Sequence, residues 1–264
     1  MALVLAVVNQ KGGVGKTTTA VNLAASLAAR EHRALLVDLD PQGNATSGLG
    51  IARDQSDRPT VYDALLGQAD ARSAVLPTEV PHLFVLPSSP DLVGAELELV
   101  SVDARETRLR GALNPLREGY EYVLIDCPPS LGLLTVNALV AADRVLVPLQ
   151  CEYYALEGLG SLLRTIDLVK KSLKPELEME GVVLTMFDVR NNLARQVMKD
   201  VQGHLPGKVY ETVIPRNVRL SEAPGHGRPA ILYDIESKGA QSYLQLAEEM
   251  LSRHRTASAE HKRA

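Results

Sequence analysis

Asn9-Gln10-Lys11-Gly12-Gly13-Val14-Gly15-Lys16-Thr17-Thr18-Thr19 is the stretch on which the reading of this chain turns. Before it lies Leu3-Val4-Leu5-Ala6-Val7-Val8, an apolar run rich in β-branched residues that reads as a buried strand. After it, Thr17 to Ala29 reads as a helix with Leu23, Leu27 and several alanines on its apolar side. A strand, a glycine-rich turn and a helix N-terminus aim successive backbone N–H groups into one concavity, where the helix dipole also favours negative charge. Such a cradle suits a polyphosphate. Lys16 is placed to reach the β and γ phosphates, and the Thr17 hydroxyl to ligate a Mg²⁺ ion bridging them.

Two further strand ends carry aspartates. Arg33 to Asp38 is a short apolar strand that runs into Leu39-Asp40-Pro41-Gln42-Gly43-Asn44, where Pro41 stops it. Tyr120 to Asp126 is another, closed by Asp126 and followed by Cys127-Pro128-Pro129-Ser130. A carboxylate at the C-terminal end of a strand in an open α/β sheet lies on the edge where ligands bind. Asp40 can orient or deprotonate an attacking water there, Asp38 can support a metal's water shell, and Asp126 with Thr17 can hold the metal. The plain alternative for Asp38 and Asp40 is that both simply form the turn.

The match to G-x-x-x-x-G-K-[ST] is incomplete, because the position five before Gly15 is Gln10, and a second lysine, Lys11, comes next. Lys11-Gly12-Gly13-Val14-Gly15-Lys16-Thr17 resembles the deviant Walker A motif of the ParA/MinD family of P-loop ATPases. Asp38-Leu39-Asp40-Pro41-Gln42-Gly43-Asn44, the Asp126 strand, and Ile214-Pro215-Arg216-Asn217-Val218-Arg219 resemble the motifs that follow it in the small chromosomal ParA (Soj) branch. These four motifs occur in order, and the resemblance covers Leu3 to Leu251.

That resemblance implies ATP and Mg²⁺ as ligands, with Lys11, Gly12, Gly13, Val14, Gly15, Lys16, Thr17 and Thr18 around the phosphates and Pro215 and Asn217 at the adenine. It implies an ATP-dependent homodimer in which Lys11 crosses to the partner's nucleotide, and hydrolysis that needs Lys11, Lys16 and Asp40. It further implies non-specific binding of double-stranded DNA through Arg190, Arg216 and Arg219, a ParB-type centromere-binding partner, and a cytoplasmic, nucleoid-associated protein acting in chromosome segregation. Without the resemblance, Lys11 would read as a solvated loop lysine. With Lys11 so close to Met1, the expectation is also that no helix-turn-helix precedes the loop and that operator sequences are not read.

Composition sets the frame. The 264 residues are 45% hydrophobic, enough for one large core, and show no repeat or low-complexity block. The expectation is one α/β domain over residues 1–254, a mostly parallel twisted sheet with helices on both faces in three layers, then a polar tail over 255–264 without order. Arg144 to Leu149, Gly181 to Met186 and Val209 to Ile214 supply further candidate strands, with helices around Leu156 to Leu173 and Leu193 to Leu205. Gly48-Leu49-Gly50 and Leu86-Pro87-Ser88-Ser89-Pro90 read as surface loops, and Arg105, Arg108 and Arg110 as a solvated helical face. Tyr153 and Tyr154 read as packing or subunit-interface residues.

Three alternatives narrow on residues. No apolar run reaches the roughly 18 residues of a membrane span. A MinD-like membrane-cycling regulator would need a basic amphipathic C-terminal helix, whereas Gly239 to His254 spaces Tyr243, Leu246, Ala247 and Met250 for a core. An iron–sulfur protein of the same fold would need paired cluster cysteines, and Cys127 and Cys151 stand in other contexts. From 186 to 230, seven basic residues face four acidic ones, a local +3 in a chain of net charge −4. That contrast suits sequence-blind contact with phosphates, although a solvated face would show it too.

Overall fold

In the computed structural model, residues 1–52 and 58–261 are described, with side chains as far as Thr256. The strands are β1 (Leu3–Val7), β2 (Ala34–Asp38), β3 (Leu76–Pro77), β4 (Leu83–Leu86), β5 (Tyr122–Asp126), β6 (Arg144–Gln150) and β7 (Glu178–Thr185). The helices are α1 (Lys16–Ala28), α2 (Asn44–Gly48), α3 (Val61–Leu66), α4 (Ala71–Ala74), α5 (Leu92–Leu99) and α6 (Arg108–Leu113) in the first half. In the second half they are α7 (Leu133–Ala141), α8 (Ala155–Ser172), α9 (Asn192–His204), α10 (Val218–Glu222), α11 (Ala230–Tyr233) and α12 (Lys238–His261).

The sheet order is β3-β4-β2-β5-β1-β6-β7, parallel throughout except for the β3–β4 pair. β1 is central, and its side chains alternate between two cores. Val4, Ala6 and Val8 enter one with Leu92, Leu99, Leu139 and Leu162, while Leu5 and Val7 enter the other with Leu23, Leu27, Tyr243 and Met250. Burial on both faces is why these strands read as unbroken apolar runs rather than as alternating ones. The three-layer expectation holds. All five strand-end loops of β1, β2, β5, β6 and β7 therefore open on the same edge.

Several local expectations change. Val209 to Ile214 does run beside β7, with the Tyr210 N–H donating to Val182 O at 2.9 Å and the Ile214 N–H to Leu184 O at 2.8 Å. Only isolated bridges at Val209 and Pro215 form, so the segment is not a regular strand. Gly48 and Leu49 are buried and end α2 instead of forming a surface loop, and Ser88 and Ser89 are buried as well. Arg108 is not solvated, since its guanidinium donates to Leu65 O at 3.1 Å and Leu66 O at 2.9 Å. α12 continues to His261, so the segment expected as a tail over 255–264 is helical that far, and its last three residues lie outside the described ones.

At the opposite, N-terminal edge of the sheet, Glu180 is buried and ties three elements together. It accepts from the Tyr210 hydroxyl at 2.6 Å and from Arg144 at 3.0 Å, and its Oε1 lies 3.0 Å from His254 Nε2. Burial alone would raise its carboxyl, yet His254, Tyr210 and Arg144 together bring it down to about 2. A carboxyl held low contributes stability that is complete above its unfolded value near 4.5 and is lost as pH falls toward 2. The contribution is on the order of 3 kcal/mol. Urea unfolding at pH 7 and pH 3 should show a steep acid loss in the wild type and a shallower one in Glu180→Gln, which starts lower at pH 7. Equal acid slopes would remove Glu180 from that role.

Candidate nucleotide site

The loop between β1 and α1 is held by three hydrogen bonds, two to neighbouring strands and one within itself. The Asn9 amide donates to Pro148 O at 2.8 Å while its Oδ1 accepts from the Lys11 N–H at 3.0 Å. The Thr185 hydroxyl at the end of β7 donates to Val14 O at 2.8 Å. Gly13 and Gly15 have φ of 76° and 90°, the left-handed region that glycine enters without a Cβ clash. No side chain caps α1, and a Cβ on Gly12 or Gly13 would meet nothing within 4 Å, so the loop walls an open concavity and leaves the first-turn N–H groups of α1 without a side-chain cap. Lys16 is buried beneath it, with Nζ donating to Lys11 O at 3.1 Å. Burial lowers its pKa, against the opposing pull of Asp126, Cys127 and Asp40.

The parallel register places Asp38 directly beside Asp126, and Asp126 beside Val7. Both carboxylates are fully buried, yet their surroundings differ. Asp38 Oδ2 accepts from the Thr46 N–H and hydroxyl, each at 2.7 Å, and Oδ1 from the Asp40 N–H at 3.2 Å. Neither oxygen of Asp126 has a hydrogen-bond partner among the described residues. Burial raises the Asp38 carboxyl to about 6 against the Thr46 hydrogen bonds, and burial together with the Asp38 charge raises Asp126 well above the ordinary range. Thr17 moderates the Asp126 shift without closing a hydrogen bond of ordinary geometry.

An orphaned buried carboxylate beside a second one fits a divalent cation. Among the described residues no three acidic, histidine or cysteine side chains converge, which suits Mg²⁺, an ion that keeps several waters and takes one or two carboxylates plus phosphate oxygens. Asp126 and Thr17 could hold it, and Asp38, anchored by Thr46, could support its water shell. Cys127 Sγ points back to Ile125 O at 3.7 Å, and burial pushes its thiol well up, the reverse of a ready thiolate ligand.

Asp40 stands on the same edge, nearly buried, with Oδ1 accepting from the Gln42 N–H at 2.9 Å. Its backbone carbonyl takes the Ser88 hydroxyl at 2.8 Å, and the Ser88 N–H reaches Thr46 Oγ1 at 3.0 Å. Thr46 and Ser88 thus fix the Asp38–Asp40 segment. Nothing in the sequence marked either one: the Ser88 contacts join segments more than 40 residues apart, and Thr46, eight residues from Asp38, meets it only once the chain has turned into α2.

Beside the phosphate loop lies a cavity of about 330 Å³ whose lining includes Gly15, Thr18, Met186, Pro215, Asn217 and Pro224. Its apolar walls and single amide suit a purine ring. Asn217 Oδ1 caps α10 by accepting from the Arg219 N–H at 3.0 Å, which leaves the amide NH₂ as the group able to meet a base. Met186, with φ of 49°, turns the chain out of β7 into this wall and was not singled out by the sequence. A larger cavity, about 600 Å³, lies at the other sheet edge around Glu180, where Arg144, Arg253 and His254 are each paired with a glutamate.

Lys11 is half exposed and forms an ion pair with Glu152 of its own chain, next to Tyr153 and Tyr154, which are exposed and stack edge-to-face at 5.0 Å. The Phe187–Pro215 bridge brings the loop carrying Arg190 beside Arg216 and the start of α10, which carries Arg219. Arg190 is forked onto Asp188 at 3.0 Å, and Arg219 pairs with Glu222 at 2.8 Å and Asp234 at 3.1 Å. Arg216 is exposed on the rim of the purine-sized cavity and makes no ion pair among the described residues.

A phosphate loop after the central strand, with strand-end aspartates beneath it, defines a P-loop nucleotide-binding protein. A sequence-family profile described as an AAA domain matches residues 2–179. The chromosome partitioning protein ParA of Myxococcus xanthus (strain DK1622) is 61% identical over 250 residues, 95% of this chain and 88% of that one. The sporulation initiation inhibitor protein Soj of Bacillus subtilis (strain 168) is 57% identical over 95% of this chain and 98% of its own. A crystal structure of cobyrinic acid a,c-diamide synthase from Mycobacterium smegmatis with bound ADP and magnesium superposes with a TM-score of 0.85 at 40% identity, covering 97% of each chain. The chain belongs to the ParA/Soj family of chromosome-partitioning ATPases.

Proposed function

We propose that this chain is an ATP-driven, Mg²⁺-dependent DNA-partitioning switch: ATP joins two copies face to face, the dimer binds duplex DNA without regard to sequence, and hydrolysis releases it. The observation that carries the reading is the unpartnered Asp126 carboxylate beside Lys16 and beneath an open amide cradle. Asp126 and Thr17 would hold the magnesium ion there, and it would supply charge neutralisation to the triphosphate. Lys16 and the loop amides bind the triphosphate, Asn217 and Pro215 border the base, and Asp40 orients the attacking water and takes its proton. Hydrolysis is raised by a ParB-type partner, as the family resemblance implies, and the protein acts in the cytoplasm on the nucleoid.

Lys11 would reach the partner's triphosphate only by leaving Glu152. Exposed ion pairs hold together by about 0–1 kcal/mol, so exchange for a triphosphate is easy. Lys11→Ala should therefore bind ATP with its cradle and Lys16 intact, yet remain monomeric in light scattering with Mg-ATP. Dimerisation equal to that of the wild type would defeat the cross-subunit role.

The DNA reading draws on the arginine loops lying on the nucleotide edge, where dimer formation sets two copies side by side. Arg190 and Arg219 are held by carboxylates, so binding exchanges those partners for phosphates. Arg219→Ala should weaken binding to all duplex sequences alike and lower the slope of log affinity against log salt by about 1 for each DNA phosphate it no longer neutralises. An unchanged slope in a variant that still dimerises would exclude Arg219. α12 argues against a membrane-cycling role, because Tyr243, Leu246, Ala247 and Met250 are buried in the core shared with α1. No helix among the described residues is long and apolar enough to cross a membrane.

A further inference from the structure

One wall of the cavity beside the phosphate loop comes from the segment after α10, and that segment rests on α2. Pro224 lines the cavity, and its Cβ stands 3.9 Å from where a Cβ on Gly48 would lie, an ordinary packing distance. Further on, backbone meets backbone. A Cβ on Gly227 would lie 2.7 Å from Gly50 Cα and 3.1 Å from Gly50 N, and one on Gly50 would lie 3.0 Å from Gly227 O. Carbon atoms in contact stand about 3.5–4.0 Å apart, so neither position has room for a side chain. Each glycine also closes a turn with left-handed φ, 77° at Gly50 and 63° at Gly227. The Gly50 N–H donates to Ser47 O and the Gly227 N–H to Pro224 O, both at 3.0 Å.

The same segment is tied to α1. The Ala230 N–H donates to Asn22 Oδ1 at 2.7 Å, and the Asn22 amide donates to Thr18 O at 2.8 Å. Arg228 and Glu79 add an ion pair on the outside, exposed and therefore weak. In the other direction α2 leads to the carboxylates. Thr46 gives its N–H and hydroxyl to Asp38, and the Gly43 N–H, just before α2, donates to Asp40 O at 2.9 Å. Among the described residues, neither α2 nor the turn after it lines the cavity.

We propose that the Gly50–Gly227 contact is the joint by which a base seated against Pro224 positions the Asp38–Asp40 segment, which makes both glycines positioning residues for hydrolysis. α2 holds Asp38 at one end and meets the cavity wall at the other, so the wall and the carboxylates move as one body. This role rests on the cavity being the base site and needs neither the dimer nor the DNA reading.

Mg-ADP and Mg-pyrophosphate differ by the nucleoside alone, so comparing them isolates what the base adds. In the wild type, hydrogen exchange at saturation with each should show the amides of Thr46 to Ile51 better protected with ADP. Calorimetry should find Gly227→Ala about ten-fold weaker for ADP and unchanged for pyrophosphate. Its turnover of saturating Mg-ATP should fall about ten-fold, because small misplacements far from the chemistry carry costs of that order. Gly50→Ala, the milder clash, should move the same readouts less. Gly207→Ala is the reference: its φ of 73° brings the same backbone strain, but the added Cβ meets nothing within 4 Å, so all of these readouts should match wild type.

Equal protection of Thr46 to Ile51 by ADP and pyrophosphate overturns the proposal, and that comparison needs no variant to fold. So do folded Gly227→Ala and Gly50→Ala proteins that match Gly207→Ala. A parallel loss of ADP and pyrophosphate affinity overturns it as well, because the contact would then only hold the fold. Wild type that binds ADP no tighter than pyrophosphate would instead remove the base site, and the joint with it.

Discussion

Replacing Asp40 by alanine should cut steady-state ATP hydrolysis by about 10²–10⁴-fold while leaving ATP-bound dimers intact, because a positioned acid–base group contributes about that much to a proton transfer. The role is separable from binding, because the Asp40 side chain makes neither the Lys16 hydrogen bond to Lys11 O nor a cap on the cradle amides. Asp40 also accepts from the Gln42 N–H, so alanine loses a turn hydrogen bond worth about 1 kcal/mol. Asp40→Asn keeps an acceptor for that turn and cannot take the proton, so the two variants should be equally slow. Single-turnover hydrolysis within a few-fold of wild type in both would remove Asp40 from the mechanism.

Asp126→Asn should move two measurements in opposite directions. Without nucleotide the protein should become more stable, because Asp126 is buried, has no hydrogen-bond partner among the described residues, and lies beside Asp38, so each carboxylate raises the cost of the other's charge. Relief of that repulsion is on the order of 1–3 kcal/mol, and each kcal/mol moves the midpoint of a domain this size by about 2–4 °C. With Mg-ATP the order should reverse, since the wild type gains the stabilisation of a bound ion that the amide cannot charge-balance. Thermal melts with EDTA, with Mg²⁺, and with Mg-ATP decide it. A variant less stable than wild type with EDTA, or equally stabilised by Mg-ATP, would mean that Asp126 is not the metal carboxylate.

The phosphate loop and the three aspartates were legible because their chemistry is compressed into short motifs flanked by an apolar strand and a helix. The wall of the cavity beside the phosphate loop was legible only in part: Pro215 and Asn217 belong to a motif, whereas Thr185 and Met186 reach the cavity because β7 ends there. Thr46 and Ser88 were invisible for a related reason. Glycine and proline report a turn but not whether the turn is covered, so Gly48-Leu49-Gly50 and Ser88-Ser89 read as surface while the structure buries most of them. Arg108 misled in the same way, since a one-dimensional pattern cannot show that two unpaired carbonyls of α3 await its guanidinium. β3 is two residues long and has no period to detect. The 209–214 segment has strand-like residues, but its pairing with β7 is interrupted, which depends on the partner and not on its own composition.

The central claim is that nucleotide at the Lys16–Asp126 site controls assembly and DNA binding together. Its most direct test is one titration series on the intact protein: mass by light scattering and affinity for a duplex of arbitrary sequence, each with Mg-ATP, with Mg-ADP and without nucleotide. The account expects dimers and tight, salt-sensitive DNA binding with Mg-ATP alone, and monomers with weak binding in the other two states. Equal DNA affinity in all three states, or tight binding by a monomer, would contradict it.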